Sequence, residues 1–139
     1  SLGRQLLKVE DVMRRGDDVC MAPPEMTVRE MLVRRTQMKR RSGAAIVVGS
    51  QGELAGIFVD GDLRRLLTDG KGGEQLLARR LADVMTAAPK HARLGMLAGE
   101  ALHIMNRHEI DDLPVVDDRG QAVGMIDIQD MIAVGLAQG

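Results

Sequence analysis

Ala45-Ile46-Val47-Val48, followed by Gly52 and Gly56, recurs downstream as Leu113-Pro114-Val115-Val116, followed by Gly120 and Gly124. Ahead of these, Val9-Glu10-Asp11-Val12-Met13 recurs as Leu81-Ala82-Asp83-Val84-Met85. The methionines lie 72 positions apart (13 to 85) and the second glycines 68 (56 to 124). That drift of four is what unequal loops inside two copies of one unit produce. Neither copy is long enough to bury a full core alone, so the two should pack against one another.

Each copy presents the same order of elements. In the first, Thr27-Val28-Arg29-Glu30 reads as a capping box at a helix start. Val28, Met31, Leu32 and Met38 supply an apolar stripe that runs to Ser42-Gly43. Ala44 to Gly49 reads as a buried strand, Ser50 to Glu53 as a hairpin turn, and Leu54 to Val59 as the returning strand. Asp60-Gly61-Asp62 opens a helix that Gly70 ends. In the second copy, Met96, Leu97, Ala101, Leu102 and Met105 mark the helix, with Gly95 standing near the position of Thr27 as a poorer cap. Leu113 to Val116 and Ala122 to Ile126 read as strands, and Asp127 to Leu136 as the last helix. The order is β-α-β-β-α, twice.

Composition narrows the function. The chain has 139 residues, 45% hydrophobic and 28% charged, as in an ordinary globular domain. Phe58 is the one aromatic residue, so Leu, Val, Ile, Ala and ten Met must build the core. A net charge of −1 gives no field for a polyanion. One cysteine, Cys20, allows no internal disulfide and fits a reducing cytoplasm. No apolar run approaches the ~20 residues of a membrane span, so neither a membrane nor nucleic acid is expected as a partner. His91, His103 and His108 lack metal-ligand spacing, and Ser1, Ser42 and Ser50 lie in no nucleophile motif. No catalytic constellation is visible, and no metal or cofactor is required.

The ordered duplication of a D-V-M lead-in, a helix, a strand ending in Val-Val, a Gly turn and an Asp-bearing helix entry resembles the cystathionine-β-synthase (CBS) domain. The resemblance runs from about Val9 to Leu136. It implies an α+β, α/β-type CBS fold, with two β-α-β-β-α repeats packed about a pseudo-twofold axis. The implied boundaries are CBS domain 1 at 9–70, a linker at 71–80 and CBS domain 2 at 81–139. A narrower likeness lies in Leu2-Gly3-Arg4-Gln5-Leu6-Leu7, which is similar to the exit from the isomerase domain of KpsF/GutQ-type arabinose-5-phosphate isomerases. Residues 1–8 then read as a linker from such a domain. Gly56-Ile57-Phe58-Val59-Asp60-Gly61-Asp62-Leu63-Arg64-Arg65 and the ending Asp130-Met131-Ile132-Ala133-Val134-Gly135-Leu136 resemble the same family.

That resemblance implies ligand-binding positions at Arg41, Ala44, Val59, Asp60, Gly61, Asp62, Thr86, Asp112, Leu113, Asp127 and Asp130. Asp62 and Asp130 match the carboxylate that holds a ribose in CBS domains, and the two should look into a shared groove. Each also reads simply as a helix cap. Val59 and Asp127 stand where nucleotide-binding CBS domains usually carry Thr or Ser. Losing that hydroxyl removes a bond to a charged group, on the order of 1.5–3 kcal/mol. A carboxylate at Asp127, ~4 Å from a phosphate, would repel it by about 4 kcal/mol at an effective dielectric of 20. The second site is thus poorer for adenosine phosphates than the first. Arg34, Arg35, Lys39, Arg40 and Arg41 read as a solvated helix end or as a phosphate contact.

The implied function is a regulatory module of a D-arabinose-5-phosphate isomerase in the Kdo branch of lipopolysaccharide synthesis. Its effector would be a nucleotide or nucleotide sugar, such as AMP, ATP or CMP-Kdo. The fragment itself would not be an enzyme. The alternative is a ligand-free module that holds such isomerases, or those of another sugar phosphate, together. Expected partners are the isomerase domain of the same chain and a second copy, giving a dimer here and a tetramer in the whole enzyme.

Overall fold

In the computed structural model, residues 2–70 and 74–138 are described. They fold as two compact units that do not follow the order of the chain. A continuous unit spans Asp17–Pro89, and a discontinuous unit joins Ser1–Gly16 to Lys90–Gly139. The described elements begin with helices α1 (Leu2–Gln5) and α2 (Val9–Val12), then a 3-10 turn at Gly16–Asp18.

The continuous unit holds strand β1 (Met21–Ala22), helix α3 (Val28–Thr36), strands β2 (Ala44–Val48) and β3 (Leu54–Val59), and helix α4 (Asp60–Thr68). Helices α5 (Glu74–Ala78) and α6 (Leu81–Val84) and strand β4 (Thr86–Ala87) complete it. Its sheet has the order β1-β2-β3-β4. β1 runs parallel to β2, while β2–β3 and β3–β4 are antiparallel. A parallel pair needs a crossover, and α3 supplies it. The hydrophobic core gathers Cys20, Val28, Met31, Ala45, Val47, Phe58 and Leu81, all buried.

The discontinuous unit holds α1, α2, strand β5 (Ala92–Arg93), helix α7 (Ala98–His108), strands β6 (Asp112–Val116) and β7 (Ala122–Asp127), and helix α8 (Ile128–Ala133). The sheet order is β5-β6-β7, with β5 parallel to β6 and β6 antiparallel to β7. Arg14 adds an antiparallel bridge to Met125 at the free edge of β7. Val9, Ala98, Met105, Leu113, Val115, Ile126 and Met131 form the core.

Each unit therefore borrows its lead-in from the other repeat. Val9 N–H donates to the Met96 carbonyl and Ala98 N–H to the Leu7 carbonyl, at 2.9 and 2.7 Å. In the continuous unit, Leu81 N–H reaches the Met26 carbonyl and Val28 N–H the Arg79 carbonyl, at 2.8 and 2.9 Å. These main-chain bonds satisfy donors at the start of α3 and α7 that the helices leave open.

The β-α-β-β-α order stands in both repeats, and several boundaries move. The α3 helix stops at Thr36 rather than at Ser42-Gly43, with the Thr36 hydroxyl turned onto the Val33 carbonyl at 2.6 Å. Beyond it, Arg35 Nη2 binds the Ser42 carbonyl at 2.8 Å and draws the chain into β2. The Thr27–Glu30 capping box forms as read, with Glu30 N–H on Thr27 Oγ1 at 3.1 Å and Thr27 N–H on Glu30 Oε1 at 3.2 Å. In the second repeat the capping position is Leu97, not Gly95, and no side chain caps it. Gly95 instead makes a turn at φ +90°, its N–H donating to Glu10 Oε1 at 2.9 Å. The last helix ends at Ala133 and not Leu136, where Gly135 turns the chain at φ +80°. Of the segment read as a linker, residues 71–73 lie outside the described residues, as do Ser1 and Gly139. Residues 74–78 form α5, which packs on α3 and buries Leu76 completely.

Candidate functional site

Two sets of expected site residues emerge, one in each unit. In the continuous unit, Ala44 pairs with Val59 across β2–β3, at the point where β3 passes into α4. Val59 has extended backbone and caps the helix, and Asp60 N–H donates to the Gly43 carbonyl at 2.8 Å. Gly61 and Asp62 follow in the first turn. The Asp62 carboxylate turns back and accepts Val59 N–H on Oδ2 at 2.9 Å. Its Oδ1 is paired with Arg65 one turn along. Asp62 is buried, whereas the Arg65 side chain is 65% exposed. Asp60, exposed, pairs instead with Arg35 Nη1 at 2.9 Å.

Thr86, exposed on β4, stands opposite Ile57 on β3. Ile57 precedes Val59 by two, so Thr86 belongs to the same end of the sheet. Arg41 is exposed three residues ahead of β2. Arg34 and Arg35 are taken up by the fold: Arg34 Nη1 donates to the Met21 carbonyl at 2.6 Å, tying α3 to β1. The Ala44 side chain is enclosed in the core.

The discontinuous unit repeats this geometry with other chemistry. Asp112 pairs with Asp127 across β6–β7, as Ala44 does with Val59. Ile128 N–H donates to the Asp111 carbonyl at 2.9 Å, the counterpart of the Asp60 to Gly43 bond. Asp127 caps α8, its Oδ1 accepting Gln129 N–H at 2.8 Å. Asp130 lies in the first turn of α8. Leu113 is wholly enclosed in the core.

Sequence reasoning passed over the residue that dominates this second set. Arg14 is 6% exposed, and its Nε donates to Asp130 Oδ2 at 2.7 Å. Its Nη2 lies 3.3 Å from Asp130 Oδ1 and 3.5 Å from Asp127 Oδ2. Burial works to discharge the guanidinium, but the hydrogen bond to Asp130 and the fields of Asp127, Asp130 and Asp112 hold its pKa above the usual arginine value. Like charges facing each other across a strand pair are unfavourable, and Arg14 offsets that repulsion between Asp112 and Asp127. The signal was legible in the repeat: the residue after Met13 is Arg14, and the residue after Met85 is Thr86.

Other expected features find plainer places. Cys20 is buried, and its thiol pKa is pushed up by burial against the opposing fields of Arg35 and Arg34. Among the described residues no cluster of His, Cys, Asp and Glu could hold a metal ion. A groove of about 640 Å³ in the discontinuous unit is lined by Arg4, Met96, Leu97, Glu100, His103 and Leu136 among others. None of the expected site residues lines it.

The CBS domain family matches residues 9–69 and 81–136. The chain belongs to the CBS domain family. Its two CBS domains are 38% identical over 138 residues to the arabinose 5-phosphate isomerase KdsD of Pseudomonas aeruginosa, covering 98% of this chain and 40% of the relative. The chain thus spans about 40% of the length of the curated relatives it matches. Among solved structures, the CBS-pair protein CBSX2 of Arabidopsis thaliana in complex with AMP superposes with a TM-score of 0.79 at 22% identity, covering 94% of this chain and 96% of that one. A CBS domain protein of Pyrobaculum aerophilum complexed with AMP gives 0.78 at 18% identity, covering 96% and 100%. At those identities the likeness establishes the CBS-pair fold. No described helix is long and apolar enough to cross a membrane.

Proposed function

We propose that this CBS pair is the regulatory portion of a cytoplasmic D-arabinose-5-phosphate isomerase, and that it binds a nucleotide or nucleotide sugar at the start of α4. The observation that carries the binding reading is Asp62. Its carboxylate is fixed by Val59 N–H at the helix start, and its other oxygen is held by the largely exposed Arg65. An exposed arginine leaves such a pair for water at a cost of about 1 kcal/mol or less, which frees an oxygen for a ribose hydroxyl. The N–H groups of the first turn of α4 and the Thr86 hydroxyl supply donors for phosphate. The likeness to KdsD over 98% of the chain supports the parent activity, and the AMP complexes of two relatives in fold support the ligand class.

Thermal-shift measurements with AMP, ATP and CMP-Kdo test the reading. A ligand at 100 times its dissociation constant stabilises by ~2.7 kcal/mol. A rise in Tm with at least one of them, lost in Asp62→Asn, is expected; no shift with any refutes sensing. One observation favours the alternative of a purely structural module: Asp130, the second carboxylate, is already engaged by Arg14. Under that alternative, removing the module from the whole isomerase changes its oligomeric state and leaves no effector response to lose.

A further inference from the structure

We infer that Arg14 is a resident counter-ion that closes the discontinuous unit to nucleotide, so that each chain takes one ligand, at Asp62. The inference rests on the nucleotide reading above and deepens it.

Four corresponding positions carry the argument. Around the start of α4 they are Thr86, Ala44, Val59 and Asp62; around the start of α8 they are Arg14, Asp112, Asp127 and Asp130. Three neutral residues and one carboxylate have become one guanidinium and three carboxylates. A ribose diol needs both oxygens of its carboxylate, and both oxygens of Asp130 face Arg14, at 2.7 and 3.3 Å. Arg14, Asp127 and Asp130 are all buried. Displacing Arg14 from Asp130 would strand a charge out of water, whereas Arg65 swings from Asp62 into solvent. The main chain allows Arg14 no retreat: its N–H and carbonyl bond Met125 at 2.7 and 2.9 Å. The Asp127 carboxylate at the start of α8, where Val59 stands in the other unit, also repels phosphate.

Isothermal titration of this chain with AMP tests the inference in wild type, Asp62→Asn, Asp130→Asn and the double variant Arg14→Thr/Asp127→Val. One equivalent is expected for wild type. Asp62→Asn should weaken binding by at least about tenfold, the loss of one hydrogen bond to a charged group. Asp130→Asn should retain binding, and the double variant should take up a second equivalent. Two equivalents in wild type, or loss of binding in Asp130→Asn with retention in Asp62→Asn, overturns the inference. Uptake by the double variant alone overturns the Asp62 reading and leaves the Arg14 closure standing. Silence from all four, with the double variant folded by circular dichroism, overturns both. Should the double variant not fold, nitrogen-15 NMR of wild type decides. The Arg14 Nε–H resonance should be protected from exchange and unmoved by AMP, and fast exchange or a ligand-dependent shift refutes the closure.

Discussion

Arg14 and Asp130 stand 116 positions apart in the chain and meet in a two-point guanidinium–carboxylate pair, both side chains nearly shut off from water. Removing one partner of a buried pair leaves the other charge without compensation. Arg14→Ala should therefore cost about 3–5 kcal/mol in urea unfolding. The compensated change Arg14→Ala with Asp130→Asn should cost clearly less, because it removes both charges of the pair.

Gly124 separates a backbone constraint from mere helix propensity. A Cβ there would lie 2.6 Å from the Arg14 carbonyl and 2.7 Å from Met13 Sδ, so the lead-in would have to move. Gly124→Ala should destabilise by about 1–3 kcal/mol, with Gly99→Ala, where the space is open, within about 0.5 kcal/mol of wild type. Urea midpoints read both.

The start of α3 gives the fold an acid-sensitive contribution. Hydrogen bonds from the Thr27 hydroxyl and backbone N–H lower the Glu30 pKa below its ordinary 4.5. A carboxyl depressed in the folded state adds stability above its unfolded pKa, and that addition disappears as pH falls through the folded pKa. Glu30→Gln should thus unfold more easily than wild type near neutrality and converge with it in acid. Thr27→Ala should cost about 1 kcal/mol at neutral pH.

At the other helix entry the two partners of one ion pair should behave differently. Arg65 is mostly in water, so Arg65→Ala should change stability by about 1 kcal/mol or less. Asp62→Ala should cost more, since Val59 N–H then loses its acceptor at a half-buried position. Chemical denaturation of both variants checks the order.

Much of the fold was legible because it is local. The runs Ala44–Val48 and Leu54–Val59 are too apolar and too short for anything but buried strands, and the capping box at Thr27 announces its helix. Helix ends were read less well. The stop at Thr36 depends on Arg35 reaching the Ser42 carbonyl, a contact the apolar stripe does not encode. The pairing of Val9 with Met96, and of Leu81 with Met26, lies beyond any window of periodicity. At the candidate site the carboxylates Asp62 and Asp130 were readable from helix-entry position. Arg14 was not readable from its own neighbours, because Asp130 lies 116 positions away and those neighbours say nothing about it. Comparing the repeats residue by residue would have exposed it: Thr86 becomes Arg14 where Val59 becomes Asp127, two opposite charges appearing together.

The exchange of lead-ins bears on any attempt to halve the molecule. A cut inside 71–73 separates the repeats cleanly in sequence, yet it severs both folding units from a piece they need: β4 stays with one fragment, and the Leu7–Arg14 segment with the other. Neither half alone can complete its sheet edge or pin its long helix. Mixed together, the two polypeptides should reconstitute what each lacks, because each folding unit draws residues from both sides of the cut.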